Sequence, residues 1–323
     1  MPGNKIRKYD TWHAMGQGAT TGSLVVTLEA LKEMHLTPED IQLIQNDTKT
    51  CPDTGMAGAS RSLYMDGNAT IIAANKLLAA MRKEDGTLRT YDEMKAEGIE
   101  TKYLGRYETN TTPGLCRLDP NTGIGDPTPA FTYCLNLAEV EVDTKTGKTT
   151  VLKFTCVDFV GRIGNIDAVN GQAYSGIMHG IGFALKEDYA DVKKHANMFG
   201  AGTSYIKDVP DDINLIHIDG AISDGPFGSS GASEAFQASG HCAVLNGIYN
   251  ACGVRIHEIP ALPEKVKAGL DAIAKGEKPY EPKKYFLGSD MYEELENIKE
   301  NPVQVGTQSF YVSLDDPTAE RPF

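Results

Sequence analysis

The chain has 323 residues, 41% of them hydrophobic and 23% charged, roughly two domains' worth of sequence and too apolar for a disordered chain. Its 31 Lys+Arg against 44 Asp+Glu leave a formal charge of -13, spread along the chain, which favours solubility and argues against nucleic acid as the main partner. No apolar run approaches the ~20 residues of a membrane span, and the start, Met1-Pro2-Gly3-Asn4-Lys5, lacks the apolar stretch of a secretory signal. Six scattered cysteines (Cys51, Cys116, Cys134, Cys156, Cys242, Cys252) form no C-x-x-C pair. They speak against a disulfide scaffold, a zinc ribbon or a Cys-ligated cluster in this chain, and for a reducing cytoplasm.

Lys5 to Trp12 reads as a strand and Met15-Gly16-Gln17-Gly18 as a glycine-rich turn. Leu24, Val25, Leu28, Leu31 and Met34 then recur at helical spacing. Thr37-Pro38-Glu39-Asp40 has a cap, a proline in first position and acids in the first turn. Ile41 to Gln45 reads as a strand leading into a polar loop, 46–61. Gly67 to Met81 predicts a helix and Tyr91 to Gly98 a short amphipathic one. The Gly/Pro/Thr/Asn-rich stretch 104–130 is the best boundary, giving a first lobe 1–105, a connection 106–130 and a second lobe 131–274. In the second lobe Thr132 to Val142, the turn from Asp143 to Gly147, and Thr149 to Phe159 read as strand, turn, strand. A helix over Ala173 to Glu187 carries Gly176, Gly180 and Gly182, which permit close approach of another backbone. Ile213 to Ile218 is a strand, Asp224 to Gly231 a glycine-rich loop, and Glu234 to Ala251 a buried helix. Residues 275–323 form a Lys/Glu/Pro-rich extended tail with one short helix, Asp290 to Lys299. Its aromatics (Tyr280, Tyr285, Phe286, Tyr292, Phe310, Tyr311) suit a segment that wraps a neighbouring subunit.

Several stretches carry a chemical reading beside a plain one. Gly16-Gln17-Gly18-Ala19-Thr20-Thr21-Gly22, between a strand and a helix, places backbone N–H groups where a phosphate can sit, or is simply a tight turn. Its G-x-G-x-x-x-G spacing does not match a dinucleotide fingerprint. Gly58-Ala59-Ser60-Arg61-Ser62 offers two hydroxyls and a cation to an anionic ligand, or is a solvated loop. Asp224-Gly225-Pro226-Phe227-Gly228-Ser229-Ser230-Gly231 delivers one carboxylate, Glu234, into an apolar run beginning Ala235-Phe236. Such surroundings would disfavour its charged form and suit a base, whereas a Glu in a first helical turn also has a purely electrostatic role. His179 reads as a ligand or as packing. His241 and Cys242, adjacent on a helix, would point about 100° apart, too far for a catalytic pair.

Taken in order, Met15-Gly16-Gln17-Gly18, Ala59-Ser60-Arg61-Ser62 with Gly67-Asn68-Ala69, Ala138-Glu139-Val140-Glu141-Val142-Asp143 with Thr146-Gly147, Gly171-Gln172…Gly176…His179-Gly180-Ile181-Gly182, and Asp224-Gly225-Pro226-Phe227-Gly228…Gly231…Glu234 resemble one family. It is the molybdenum hydroxylases, the xanthine oxidase/aldehyde oxidoreductase family, in the C-terminal molybdopterin-binding half of the large subunit. The resemblance implies an α+β fold, two α/β lobes forming the second molybdopterin-binding domain. It implies a molybdopterin, often as its cytosine dinucleotide, held by backbone and small polar groups. Gly16, Gln17 and Gly18 would meet the pterin or its phosphate, and Ala59, Ser60, Arg61 and Ser62 would line pterin and nucleotide. Gly176, His179 and Gly180 would meet the dinucleotide end, with Gly231 and Ala232 also at the cofactor. Glu234 matches the family's base, which deprotonates the metal-bound hydroxyl that attacks an electron-poor carbon. Hydride then passes to a sulfido or selenido ligand, and electrons leave through iron–sulfur clusters.

Three features depart from the family pattern. His179 stands where Gln is frequent, and Ala235-Phe236 follows the Glu where Leu-Pro or Pro-Pro is usual. The family's preceding half, with its catalytic Arg, and its iron–sulfur domains are expected on other chains. The reading is thus a molybdopterin-binding subunit, inactive alone, with a complementary molybdopterin-binding subunit, a 2Fe-2S subunit and optionally an FAD subunit as partners. The split of the large subunit looks like bacterial dehydrogenases for nicotinate or purines, so the lean is to hydroxylation of an N-heterocycle. Aldehyde oxidation is the alternative, because Lys193-Lys194-His195-Ala196 and Ile206-Lys207…Pro210-Asp211 have an aldehyde-oxidoreductase-like texture. An NAD-dependent dehydrogenase using the Gly16 loop and a non-catalytic assembly subunit stay open as other classes.

Overall fold

Ile6–Asp10 forms β1, which pairs in parallel with β2 (Ile41–Gln45), Ile6 opposite Ile41 and Asp10 opposite Gln45. A parallel pair needs a crossover connection, and here it includes α1 (Ala19–Ala30). The computed structural model describes residues 5–45, 47–108, 119, 121–125, 128, 130–278 and 300. The chain divides into compact units at 1–279 and 280–323. Of the second only Glu300 is described, so the predicted helix over 290–299 and the tail aromatics lie outside the described residues.

Next to α1 lies α2 (Ser62–Met81), which begins five residues before the predicted start, directly after the Ala59-Ser60-Arg61 turn. Leu31, Ala74 and Leu78 form a small core here with Ile6, Leu36 and Leu77. Beside it sits a buried charged cluster. The Lys8 ammonium lies 2.7 Å from Asp66, 3.1 Å from Asp10 and 2.7 Å from the Ser23 hydroxyl. Ser23 in turn donates to Asp10 at 2.5 Å, and Gln45 Nε2 to Asp10 at 2.7 Å. One cation thus ties β1, β2, α1 and α2 together. The short α3 (Tyr91–Ala96) is closed by a Thr90/Glu93 capping box. Bonds from Lys83 and Thr90 hold the Glu93 carboxyl down at about 2.

The second sheet runs β3-β4-β5. β3 (Tyr133–Val142) is antiparallel to β4 (Thr149–Phe159), and β5 (Asp212–His217) adds in parallel. Between β4 and β5 runs α4 (Ile166–Leu185), seven residues longer at its start than the periodicity predicts. The signal for that start was Asn165, whose side chain accepts from Ala168 N at 3.0 Å. The predicted single helix over 234–251 is two, α5 (Ser233–Ala238) and α6 (Gly240–Cys252). The break falls at Ser239, whose hydroxyl receives a 2.9 Å bond from Asn136 on β3. At this break Gly240 lies against Gly180 of α4. Phe154, Cys156, Ile177, Ile181, Phe236 and Val244 form the main core, between the sheet and helices α4, α5 and α6. Burying each Phe side chain contributes about 1.5–3 kcal/mol. A further helix, α7 (Pro263–Ala274), packs Val266 with Ile248, Val254 and Ala261; it is an addition to the predicted elements.

Among the described residues, no helix covers the apolar end of the opposite face of this sheet. Leu135, Val157 and Ile216 make one cross-strand row and Tyr133 sits opposite Phe159. Tyr133, Leu135, Leu137, Ile216 and Ile218 are 44–65% exposed. Contiguous apolar area of this kind marks an interaction surface rather than a solvated face.

Candidate functional site

The turn between β1 and α1 is left-handed at Gly16 (φ +104°) and Gly18 (φ +82°), conformations that L side chains rarely adopt. A Cβ on Gly16 would have nothing within 4 Å, so this backbone is open. Gln17 braces the turn: its Nε2 donates to His13 O at 2.7 Å and its Oε1 accepts from Met15 N at 2.5 Å. One amide N–H and one oxygen lone pair remain for a ligand. Gly18 caps α1 with no side-chain bond, so the first N–H groups of α1 have no side-chain acceptor. A Cβ on Gly18 would lie 3.5 Å from Ala168 Cβ in the first turn of α4, which places that turn beside the glycine loop.

The second loop carries two consecutive non-glycine residues in left-handed conformation, Ala59 (φ 53°) and Ser60 (φ 51°). Each costs of order 1–3 kcal/mol, which the surrounding structure must offset. This turn leads to Arg61, which precedes α2 and likewise provides no side-chain cap. Arg61 is exposed and, among the described residues, makes no salt bridge; Ser62 is half-buried.

The loop before Glu234 is held from three sides. Asn68 on α2 donates to Asp224 O at 3.0 Å, and Gly67 on the same helix is in close contact with Pro226. Beyond the end of β4, Arg162 N donates to Gly228 O at 2.9 Å and Ser230 N to Val160 O at 3.2 Å. At Gly231 the loop passes directly over the strained turn, where an added Cβ would fall 1.8 Å from Ser60 O. Only glycine fits. Gly231→Ala is therefore expected to destabilise by about 1–3 kcal/mol, read as a lower Tm in thermal unfolding; an unchanged Tm would remove the packing argument. Across this junction Ser60 Oγ donates to Glu234 Oε2 at 2.8 Å. Residues 174 apart in the chain meet in one hydrogen bond.

Glu234 itself is exposed, in the first turn of α5, beside half-buried Ala232. The apolar surroundings expected from Ala235-Phe236 are not its own. Successive helical residues turn by about 100°, so Phe236 is fully buried in the core while Glu234 faces outward. Gly176 and Gly180 are buried by helix packing. A Cβ on Gly176 would lie 2.6 Å from Phe236 Cβ, and one on Gly180 would lie 2.8 Å from Gly240 Cα. Their lack of side chains is thus accounted for inside the chain. His179 is exposed, its ring 6.0 Å from that of Phe183 one turn on. No hydrogen bond joins His241 to exposed Cys242 among the described residues. Among these residues, too, no group of three or more His, Cys, Asp or Glu side chains gathers to hold a metal ion. Two features escaped sequence reasoning: the strain at Ala59 and Ser60, and His13, whose buried Nδ1 has no partner among the described residues.

Compared with known proteins, residues 4–210 match the family model of the molybdopterin cofactor-binding domain. Aldehyde oxidoreductase of Megalodesulfovibrio gigas is 42% identical over 83% of this chain and 29% of its own. A probable hypoxanthine oxidase XdhD of Escherichia coli is 28% identical over 81% of this chain and 29% of its own. The gamma subunit of the 6-hydroxypseudooxynicotine dehydrogenase complex of Paenarthrobacter nicotinovorans is 24% identical over 82% and 36%. The crystal structure of aldehyde oxidoreductase from Desulfovibrio desulfuricans superposes with a TM-score of 0.78 at 45% identity, covering 81% of this chain and 28% of that one. The chain thus spans less than a third of the length of the aldehyde oxidoreductases it matches. Among the described residues no helix is long and apolar enough to cross a membrane.

Proposed function

Because the chain belongs to the molybdopterin cofactor-binding domain family of the molybdenum hydroxylases, we propose that it supplies one side of the cofactor site of a molybdenum-dependent oxidoreductase. Glu234 is the base of that site. The observation that carries this reading is the Ser60–Glu234 contact, which brings two of the family-like segments to one place.

The residues present fit such a group. α1 and α2 both begin without side-chain caps, and helix starts of this kind accept phosphate oxygens. Gly16 leaves the backbone open and Arg61 offers an exposed cation. His13 holds a buried, unpartnered nitrogen on the residue whose carbonyl anchors Gln17. Gly16, Gln17 and Gly18 would hold the pterin or its phosphate, and Ala59, Ser60, Arg61 and Ser62 the pterin and nucleotide, as a cytosine dinucleotide form requires. Of Gly176, His179 and Gly180, His179 is the exposed one and would meet the dinucleotide end. When bound, the molybdenum–pterin group, with its sulfido or selenido ligand, supplies the electron-accepting centre of the hydroxylation. The chain's own part is to fix the ligand by backbone and hydroxyl contacts and to take a proton on a Glu234 carboxylate oxygen as substrate is oxidised.

The substrate favoured by the identities is an aldehyde, oxidised to its carboxylate, since the aldehyde oxidoreductase relative is 42% identical. An N-heterocycle is the second reading, supported by the hypoxanthine oxidase relative at 28%. The remainder of the site, the 2Fe-2S clusters and, where used, FAD belong to partner chains in this proposal. The bare apolar face around Leu135 and Ile216 suits the complementary molybdopterin-binding chain.

The test is metal and pterin analysis of the complex purified with its native partners, followed by turnover with an artificial electron acceptor. Molybdenum and pterin in equal amounts, with aldehydes turned over faster than nicotinate or hypoxanthine, are expected. A complex free of both would overturn the proposal, and faster heterocycle turnover would transfer it to the second reading.

A further inference from the structure

We propose that Ser60 is a positioning residue for Glu234, acting through its hydroxyl; the inference rests on the reading of Glu234 as the base. Glu234 lies exposed on a six-residue helix. The Ser60 hydroxyl, 2.8 Å away, is the hydrogen-bond donor to that carboxylate in the structure. It is offered from a backbone that is left-handed at Ala59 and Ser60, with φ of 53° and 51°.

That strained backbone is clamped from the glutamate's own side. Gly231, three residues before Glu234, lies so close to Ser60 O that a Cβ would fall 1.8 Å from it. The same loop is tied to α2 through Asn68 and Gly67. Donor and acceptor are therefore mounted on one braced junction. Strain of this kind, maintained against its cost, is characteristic of positions where geometry matters to function. The bond engages one oxygen, Oε2, and so fixes the direction of the other, Oε1.

The residue type is itself informative. A role limited to the turn would be served better by glycine, which adopts positive φ without penalty. Serine keeps the penalty and adds a hydroxyl. Asparagine also tolerates the left-handed region and carries an amide N–H that can donate to a carboxylate.

The experiment uses the assembled, cofactor-loaded enzyme and three variants, Ser60→Gly, Ser60→Asn and Glu234→Gln, with the Ser60→Gly/Glu234→Gln double variant. Ser60→Gly is expected to keep or raise Tm, because glycine relieves the left-handed strain. With rates taken per bound molybdenum, so that any lost pterin contact is counted separately, it is expected to lower kcat by up to about 10²-fold, the cost of a misplaced catalytic group. Ser60→Asn should recover part of that loss. In the Glu234→Gln background, Ser60→Gly should have no further effect, since a positioning residue acts only through what it positions. A crystal structure of Ser60→Gly should show the Glu234 side chain in more than one rotamer. Full kcat in Ser60→Gly, or an equal loss in both backgrounds, would overturn the proposal. The two readings separate cleanly: an active Glu234→Gln enzyme removes the base itself, whereas an impaired Glu234→Gln with a fully active Ser60→Gly removes only the role of Ser60.

Discussion

Glu234→Gln is expected to leave the complex assembled and fully loaded while lowering kcat by roughly 10²–10⁴-fold, the range contributed by a general base. The substitution is close to isosteric, and the site tolerates it structurally for two reasons. Glu234 is exposed, so no packing is lost. The Ser60 hydroxyl can donate to the amide oxygen as it does to the carboxylate. What the amide cannot do is accept a proton at the working pH. Steady-state kinetics with molybdenum and pterin assays on the same sample decide the matter. A loss below about threefold at full occupancy would contradict the assignment, because a uniform binding change would appear in KM instead.

Much of the fold was legible in the sequence because the signals are local. The alternation from Tyr133 to Val142 and from Thr149 to Phe159 marks strands wherever the chain places them. The Thr37-Pro38 signature is realised as a short 3-10 turn whose Asp40 is held below the usual carboxylate range by Thr37. What was not legible depends on contacts between distant segments. The apolar pattern from Glu234 to Ala251 is interrupted only by Ser239-Gly240, and the contact at that break, a hydrogen bond to Ser239 from Asn136, comes from 103 residues away. Composition showed that small residues sit at Gly176 and Gly180 and that something approaches them. It did not show that the approaching backbone belongs to α5 and α6. The site divides in the same way. The two loops were identifiable by residue type, but their junction, with Gly231 against Ser60 O, exists only in space.

Asp66, next to the Gly67 and Asn68 that contact the Glu234 loop, belongs to the cluster around Lys8. Lys8→Met is expected to destabilise by about 3–5 kcal/mol, because removing one partner leaves buried charge uncompensated. Side-chain exposures of 10%, 3% and 12% for Lys8, Asp10 and Asp66 put this cluster in that regime rather than among surface pairs. For a unit of this size the loss corresponds to a fall in Tm on the order of 10 °C. The defect should also depend on pH with a definite sign. Burial already raises Asp66 above its ordinary value of 3.8, outweighing the attraction of Lys8, and Asp10 pushes the same way. A carboxyl raised in the folded state favours folding most when protonated. Its contribution is complete below the unfolded value and is lost as pH rises through the folded value. Without Lys8 the folded value rises further, so the penalty in the variant is largest at neutral pH and shrinks as pH falls toward the carboxylate range. Thermal unfolding of the purified complex at pH 7.5 and pH 5 measures it. Adding Asp66→Asn to Lys8→Met should restore part of the Tm at pH 7.5 and less at pH 5, since lower pH favours the uncharged carboxyl that Asn imitates. Equal defects at the two pH values, or no rescue by Asp66→Asn, would show that Lys8 stabilises by packing its stem rather than by its charge.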